Sequence, residues 1–455
     1  RPKSLAVVGG YWTDFVLQGN LKLGFKGPIW HINPTRTSNK KNKYFRSFKE
    51  LPGIPDCVYI AVSRDLTVKV IKDFSSLGTG GAVCLASRFS ETGSKKGLLR
   101  TKELIKNSGA MPFLGPNCYG FINYLDGVSV WSDQIAGKPA KNGIALICQS
   151  GTIGNTVSFN HRSLPIGYII SVGNQTCITI EDLIEYVLND KRVTAIGIYA
   201  ESFTNAELLI KALEKAKQKK IPVAIVKVGR SKISAATIKS HTGSLSGKED
   251  FYDALFNQLG VARCYTLSEL CETLKIFHTI GSLKGNKIAI MGPSGGDMAM
   301  LGDISEGLAI NYSTIPKKII KNLKKVNHKG VIISNPFDLQ TYNWNDPESL
   351  KETFDLIFEA NFNLVGLMLD FPNIKDCDIA EWEAIVDKFL LSAKEKKAFA
   401  VIIASLPETL PTHIRNKCLN SGVVPLQGLR ESLHAIHSSI LTGKAWSKYN
   451  KLKIY

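Results

Sequence analysis

His241 lies in Lys239-Ser240-His241-Thr242-Gly243-Ser244-Leu245-Ser246-Gly247, a stretch made almost wholly of small residues. Small neighbours leave an imidazole open to a large incoming group, and glycines let other backbones approach closely. A neutral imidazole becomes a directed nucleophile when a carboxylate holds its second nitrogen. Glu201, just past the strand-like residues 195–199, is the candidate for that role. Read singly, each residue has a bland alternative: a solvated loop histidine, and a surface or helix-capping glutamate. Two strand–turn–helix joints supply more chemistry. Residues 143–148 run into Gln149-Ser150-Gly151-Thr152, and residues 287–291 into Gly292-Pro293-Ser294-Gly295-Gly296-Asp297. Helix N-termini expose unpaired N–H groups and the positive end of the helix dipole, which suits a phosphoryl group.

These groups need a scaffold that brings strand ends together. Residues 4–10, 29–34, 57–62 and 81–86 read as short apolar strands separated by helix-length segments. That alternation predicts a parallel α/β sheet of Rossmann type, with ligands beyond the carboxyl ends of the strands. The residues there are Gly9, Gly10, Tyr11, Asn33, Pro34, Val62, Ser63, Ser87 and Arg88. Gly9-Gly10-Tyr11 lacks the full Gly-x-Gly-x-x-Gly fingerprint, and Asn33-Pro34 stands where an acidic residue would end the second strand. NAD is therefore disfavoured, whereas another phosphate-bearing nucleotide remains open. A third α/β block begins near residue 285, with further strands at 363–369 and 399–404. Tyr342 and Trp344 lie in a loop of this block, either as packing or as the wall of an acyl pocket. The basic tail from Leu441 is expected to interact little with the core.

With 455 residues the chain has room for about three domains. Mean hydropathy is −0.01, and no apolar run approaches the ~20 residues of a membrane-spanning helix. No signal peptide is read at Arg1, and an N-terminal piece before it stays open. The net charge of +18 is spread along the sequence, without a ribonucleoprotein motif or zinc-finger spacing, which argues against nucleic acid. Nine scattered cysteines with no Cys-x-x-Cys point to a reducing compartment, so the expected location is cytoplasmic.

Ser240-His241-Thr242-Gly243 with Gly247, Gly115-Pro116-Asn117-Cys118 and Gln149-Ser150-Gly151-Thr152 together resemble the ADP-forming acyl-CoA synthetases, the superfamily that includes succinyl-CoA synthetase. The resemblance spans essentially the whole chain. It implies an α/β architecture: a Rossmann-type CoA-binding domain at 1–127 followed by two flavodoxin-like domains, one at 138–280 with the phosphohistidine loop and one at 285–445. It also implies an acid–thiol ligase in which His241 is transiently phosphorylated and Glu201 orients it. Ser150, Gly151 and Thr152, and Ser294, Gly295 and Gly296, would hold the phosphate. The first block would bind coenzyme A, with Asn117 and Cys118 near its thiol end and Gln149 and Asn174 beside the substrate. Asp370-Phe371-Pro372, 404–408 and Tyr342-Asn343-Trp344 are similar to the feruloyl-CoA synthetase and dimethylsulfoniopropionate-CoA ligase branch. A flat aromatic acid would stack on Tyr342 or Trp344, and a sulfonium acid would make a cation–π contact with Trp344.

Two departures stand out. An ATP-grasp domain is not recognised in the sequence, so ATP and Mg²⁺ are expected to bind mainly on a partner subunit or an extension, in a homo- or hetero-oligomer. Gly9-Gly10-Tyr11 also replaces the family's usual Gly-Ala-Ser. The alternative from another class is a catalytically silent CoA-sensing module of a larger protein such as a lysine acetyltransferase. The intact His241 and Glu201 argue against that alternative.

Overall fold

The computed structural model describes residues 1–38, 43–242, 249–372 and 374–448, with side chains left aside at 238–242. The chain divides into two compact units, Arg1–Asn160 with Pro165–Ala254, and His161–Leu164 with Leu255–Tyr455.

The first unit holds two sheets. One is built from β1 (Leu5–Gly9), β2 (Ile29–Ile32), β3 (Tyr44–Phe45), β4 (Cys57–Ala61), β5 (Ala82–Cys84) and β6 (Phe113–Leu114). Their order is β3-β2-β1-β4-β5-β6 and every pairing is parallel, the Rossmann arrangement. Strands buried on both faces read as unbroken apolar runs, and Leu5, Ala6, Val7 and Val8 are all buried. Ala6, Val8, Val58 and Ile60 pack with Val68, Ile71 and Phe74 of the helix Arg64–Leu77 and with Leu104 of the helix Lys95–Ser108. Each buried Val, Leu, Ile or Phe side chain stabilises the layer by roughly 1.5–3 kcal/mol, so the strand ends carrying polar residues are held by a packed support.

The second sheet contributes β7 (Gly120–Asn123), β8 (Val128–Trp131), β9 (Gly143–Cys148), β10 (Ile166–Ser171), β11 (Val193–Ala200) and β12 (Val223–Lys227) to this unit. Within the unit these run β12-β11-β9-β10-β7-β8. The first four are parallel, and β7–β8 is an antiparallel hairpin laid against β10. The sequence does not announce this hairpin. Residues 120–123 precede position 127, yet they are hydrogen-bonded into the second sheet.

The second unit begins with the short β13 (Ala262–Cys264) and is centred on β14 (Ile288–Gly292), β15 (Phe337–Asp338), β16 (Leu364–Met368), β17 (Ala400–Ala404) and β18 (Val424–Gln427). The order β15-β14-β16-β17-β18, all parallel, is the flavodoxin order 2-1-3-4-5. One element departs from expectation. The tail past Leu441 continues the helix Leu429–Ser447 and buries Thr442 and Gly443. Trp446 Nε1 donates to the Leu259 carbonyl at 3.1 Å. A side chain on Gly443 would overlap the Leu283 carbonyl, so the helix is seated by close backbone approach.

Candidate functional site

In the first unit a cavity of about 160 Å³ is lined by Leu85, Asn117, Cys118, Tyr119, Gln149, Ser150, Gly151, Thr152, Gly173, Asn174 and Glu201. Seven of these were singled out in the sequence: Asn117, Cys118, Gln149, Ser150, Gly151, Thr152 and Glu201. Asn174, expected beside the substrate, is an eighth. They converge because each follows the carboxyl end of a strand or its connecting loop.

Gln149 fastens two of those loops. Its backbone N–H donates to the Tyr199 carbonyl at 2.9 Å. Its side-chain Oε1 accepts from the N–H groups of Glu201 at 2.8 Å and Ser202 at 3.0 Å. Glu201, 7% exposed, is thereby fixed at the end of β11. Ser150 caps the helix Gly151–Ser158, its Oγ accepting from Ile153 N–H at 3.4 Å. The cap leaves the N–H groups of the first turn directed at the cavity, where the helix dipole favours negative charge. Gly151 is required by crowding, since a side chain there would overlap the Tyr119 ring.

The opposite wall is a stitched pair of loops. Asn117, in the left-handed region at φ 59°, donates its N–H to the Ala86 carbonyl at 2.9 Å. Asn174 N–H donates to the Pro116 carbonyl at 3.0 Å, and its Nδ2 to Glu91 Oε2 at 2.6 Å. Asn117 Nδ2 reaches Asn174 Oδ1 at 3.4 Å. Gly173 has φ 55°, and any side chain on it would overlap the Pro116 and Asn117 carbonyls. Cys118 is buried, its thiol donating to the Cys84 carbonyl at 3.7 Å, and burial pushes its pKa up to about 12. It stays a neutral thiol and serves as a packed wall.

His241 was expected in a loop, but its backbone belongs to the last turn of the helix Lys232–Thr242. Its side chain lies outside the described residues. That helix packs along the Ser90–Thr92 turn, where Glu91 holds Asn174.

At the first sheet, Gly9 has φ 141° and a side chain would overlap the Ala61 carbonyl, so the turn after β1 admits only glycine without displacement. Asn33 Nδ2 donates to the Gly9 carbonyl at 2.8 Å, while its Oδ1 accepts from Thr35 and Arg36 N–H groups at 3.0 and 3.1 Å. Pro34 accepts at its carbonyl from Arg46. Ser63 opens the helix Arg64–Leu77, just after Val62, without a side-chain cap. Arg64 reaches the carbonyl of Arg88, which follows Ser87 and has φ 69°. Gly10 and Tyr11 begin the helix Tyr11–Leu23.

The second unit, taken by itself, holds the other glycine turn. Ser294 caps the helix Gly295–Ser305 by accepting from Asp297 N–H at 3.3 Å, and Gly296 follows in its first turn. Carboxylates crowd this N-terminus: Asp338 Oδ2 lies 2.9 Å from where a side chain on Gly295 would begin. Burial, with Asp370 and Asp338 nearby, raises the pKa of Asp297 above the usual carboxylate range. A cavity of about 590 Å³ opens here, lined by Asp297, Asp370, Trp344 and Trp382 among others. Trp344 meets Trp382 edge-on at 5.5 Å. Tyr342 does not line that cavity. It is exposed and stacks on His328 at 4.2 Å. Tyr119, Gly173 and Asp370 lie in stretches the sequence marks, but it gives none of them a role; for Tyr119 and Gly173 that role is steric.

Residues 141–277 match the model of a succinyl-CoA ligase like flavodoxin domain. The chain is 31% identical over 344 residues to an ADP-forming acetate–CoA ligase of Methanocaldococcus jannaschii, covering 74% of this chain and 48% of the relative. It is 29% identical over 347 residues to ADP-forming acetate–CoA ligase II subunit alpha of Pyrococcus furiosus, covering 74% and 75%. It thus spans about half the length of the first relative and three quarters of the second. Among solved structures, the apo form of Ca. Korarchaeum cryptofilum dinucleotide forming acetyl-coenzyme A synthetase 1 superposes with a TM-score of 0.84 at 20% identity, covering 98% of this chain and 97% of that one. That likeness establishes a shared fold.

Proposed function

From its kinship with the ADP-forming acetate–CoA ligases, and from the succinyl-CoA ligase like flavodoxin domain it carries at residues 141–277, we propose that this chain is the α-type portion of an ADP-forming acyl-CoA synthetase. The observation that carries the reading is the cavity joining Glu201 and Gln149 to the open helix N-terminus at Gly151. At about 160 Å³ it is smaller than the ~300–1,000 Å³ of pockets that enclose a whole drug-sized ligand. That size suits a phosphoryl group and the reacting end of a larger molecule, not a whole nucleotide.

In the proposed reaction the γ-phosphoryl group of ATP and the carboxylate of the acid form an acyl phosphate and ADP, the phosphoryl group passing by way of a nitrogen of His241. The thiol of coenzyme A then attacks the acyl carbon, its proton is lost, and the C–O bond to phosphate breaks. Glu201 accepts from the imidazole, holding its tautomer. The N–H groups at Gly151 and Thr152 face the charge that accumulates on phosphorus oxygens, which fixed dipoles stabilise without reorganising. ATP, with its Mg²⁺, is assigned to an ATP-grasp part on a partner subunit or a further stretch of chain. Coenzyme A is assigned to the first sheet, along Gly9, Gly10, Asn33, Pro34, Val62, Ser63, Ser87 and Arg88, with Asn117 nearer its thiol.

For the acid, the second unit favours a positively charged group. Trp344 and Trp382 beside Asp297 and Asp370 suit a sulfonium acid better than a flat, neutral aromatic ring, since indole faces and carboxylates both attract cations.

Incubation of the complete enzyme with γ-labelled ATP should give an acid-labile, base-stable label that His241→Ala abolishes. An intact enzyme that takes no label, yet binds coenzyme A tightly, would favour the silent CoA-sensing module instead.

A further inference from the structure

The proposed reaction leaves one group of side chains unused. Tyr11 and Trp12, with 65% and 46% of their surfaces exposed, begin the helix Tyr11–Leu23, and Phe15 stands one turn on. The three rings form one cluster. Tyr11 meets Trp12 edge-on at 5.2 Å and Phe15 edge-on at 5.3 Å, and Trp12 lies 6.2 Å from Phe15. They do not belong to the core, because the helix buries Thr13, Val16, Gly19, Asn20 and Leu23 instead. Nor do they favour the helix, since aromatic residues lose side-chain freedom there. Clustered exposed aromatics of this kind mark a contact surface.

Their place in the fold narrows what that contact is. The cluster follows directly on the Gly9–Gly10 turn at the carboxyl end of β1, beside the point where strand order reverses between β1 and β4. Open parallel sheets bind ligands in that crevice. Guanidinium groups flank it on both sides. Arg36, past β2, is held by Asp14 of the same helix at 3.0 Å and lies 5.7 Å from the Tyr44 ring centre. Arg64, past β4, is anchored on the Arg88 carbonyl at 2.9 Å. Flat apolar faces bordered by positive charge complement a nucleotide, whose base stacks while its phosphates meet the cations.

We infer that Tyr11, Trp12 and Phe15 form the stacking surface for the adenine of coenzyme A. This rests on the reading that the first sheet binds that cofactor, and it assigns to the aromatic cluster the part of the affinity that belongs to the adenosine end. The thiol end of the molecule makes no demand on it.

Calorimetric titration of the full chain with coenzyme A and with 4′-phosphopantetheine, which lacks the adenosine end, separates the two. Trp12→Ala should weaken coenzyme A binding about tenfold, the scale of one lost base–aromatic stack. Its binding of 4′-phosphopantetheine should match wild type, and Trp12→Phe should recover most of the loss. Unchanged coenzyme A affinity in Trp12→Ala, or a parallel loss for both ligands, would overturn the inference while leaving the cofactor reading intact. Wild-type protein that binds neither ligand would remove the cofactor reading, and this inference with it.

Discussion

His31 shows how one buried side chain sets the glycine turn on which the first sheet's ligand residues depend. Thr13 Oγ1 donates to the Gly10 carbonyl at 2.5 Å, so His31 Nε2, 2.9 Å from Thr13 Oγ1 and 3.2 Å from the Gly9 carbonyl, is the donor to both. Nε2 therefore carries a proton, and burial favours the neutral form of the ring. Burial is the main reason its pKa lies below the ordinary value of 6.5, and the nearby Arg36 charge adds to this. In the unfolded chain the imidazole takes up a proton near that ordinary value, whereas the folded chain resists it. The stabilisation is thus complete above about pH 6.5 and is lost as the pH falls through the lower folded value. His278, His434 and His437 in the second unit are also held below the ordinary value, chiefly by burial. Comparison with a variant isolates the contribution of His31. Thermal unfolding of wild type and His31→Gln across pH 7.5 to 5 should converge as the pH falls, with the variant less stable by about 1–3 kcal/mol at the upper end. A constant gap across the range would mean that the ring is not held neutral.

The joints between strands and helices carry the site, and two glycines there make opposite demands on intuition. Alanine is the better residue inside a helix by up to ~1 kcal/mol, so Gly151→Ala would stabilise the helix Gly151–Ser158 if nothing else were near. The Tyr119 ring fills the space the methyl group would take. Displacement of that ring or of the helix start should cost about 1–3 kcal/mol, as overpacking does. It should also tilt the open N–H groups, so phosphohistidine formation should fall far more than stability. Gly173→Ala should cost more, because it adds a left-handed conformation to an overlap with two carbonyls, those of Pro116 and Asn117. Unfolding midpoints and label incorporation on both variants check this, and Gly151→Ala with full labelling would count against the helix N-terminus as the phosphoryl site. These joints also show what a sequence conveys. Apolar runs announced β1, β4, β9 and β14, with glycine turns after β1, β9 and β14, because parallel strands are buried on both faces. The hairpin β7–β8 was silent, since its strands are four residues each and owe their place to β10. Tyr119 and Gly173 act through excluded volume against partners distant in sequence, and no local pattern encodes that. The helical backbone at His241 was hidden for a related reason: the small residues around it read as a turn, while the helix starts at Lys232.

The whole molecule divides the proposed chemistry unevenly, and the division can be tested. Transfer of a γ-phosphoryl group needs cations or metal ions around the β- and γ-phosphates. Among the described residues, none of those lining this cavity of the first unit is lysine or arginine. What that cavity offers is a helix dipole, backbone N–H groups and a buried carboxylate, which suit one phosphoryl group already separated from its nucleotide. The first sheet, by contrast, has Arg36, Arg64 and Arg88 at its carboxyl edge. Coenzyme A binding should therefore be a property of this chain alone, and phosphorylation from ATP should require the ATP-grasp part. Titration of the isolated chain with coenzyme A should give an affinity within about twofold of that of the complete enzyme, a difference below ~0.5 kcal/mol. The isolated chain should release no ADP from ATP and take no label until the proposed ATP-grasp part is added. If the chain by itself turned ATP over, the nucleotide site would lie within these 455 residues, and the assignment of ATP to an ATP-grasp part elsewhere would fail. If the chain bound coenzyme A only in the complex, the basic edge of the first sheet would be an incomplete half of that site.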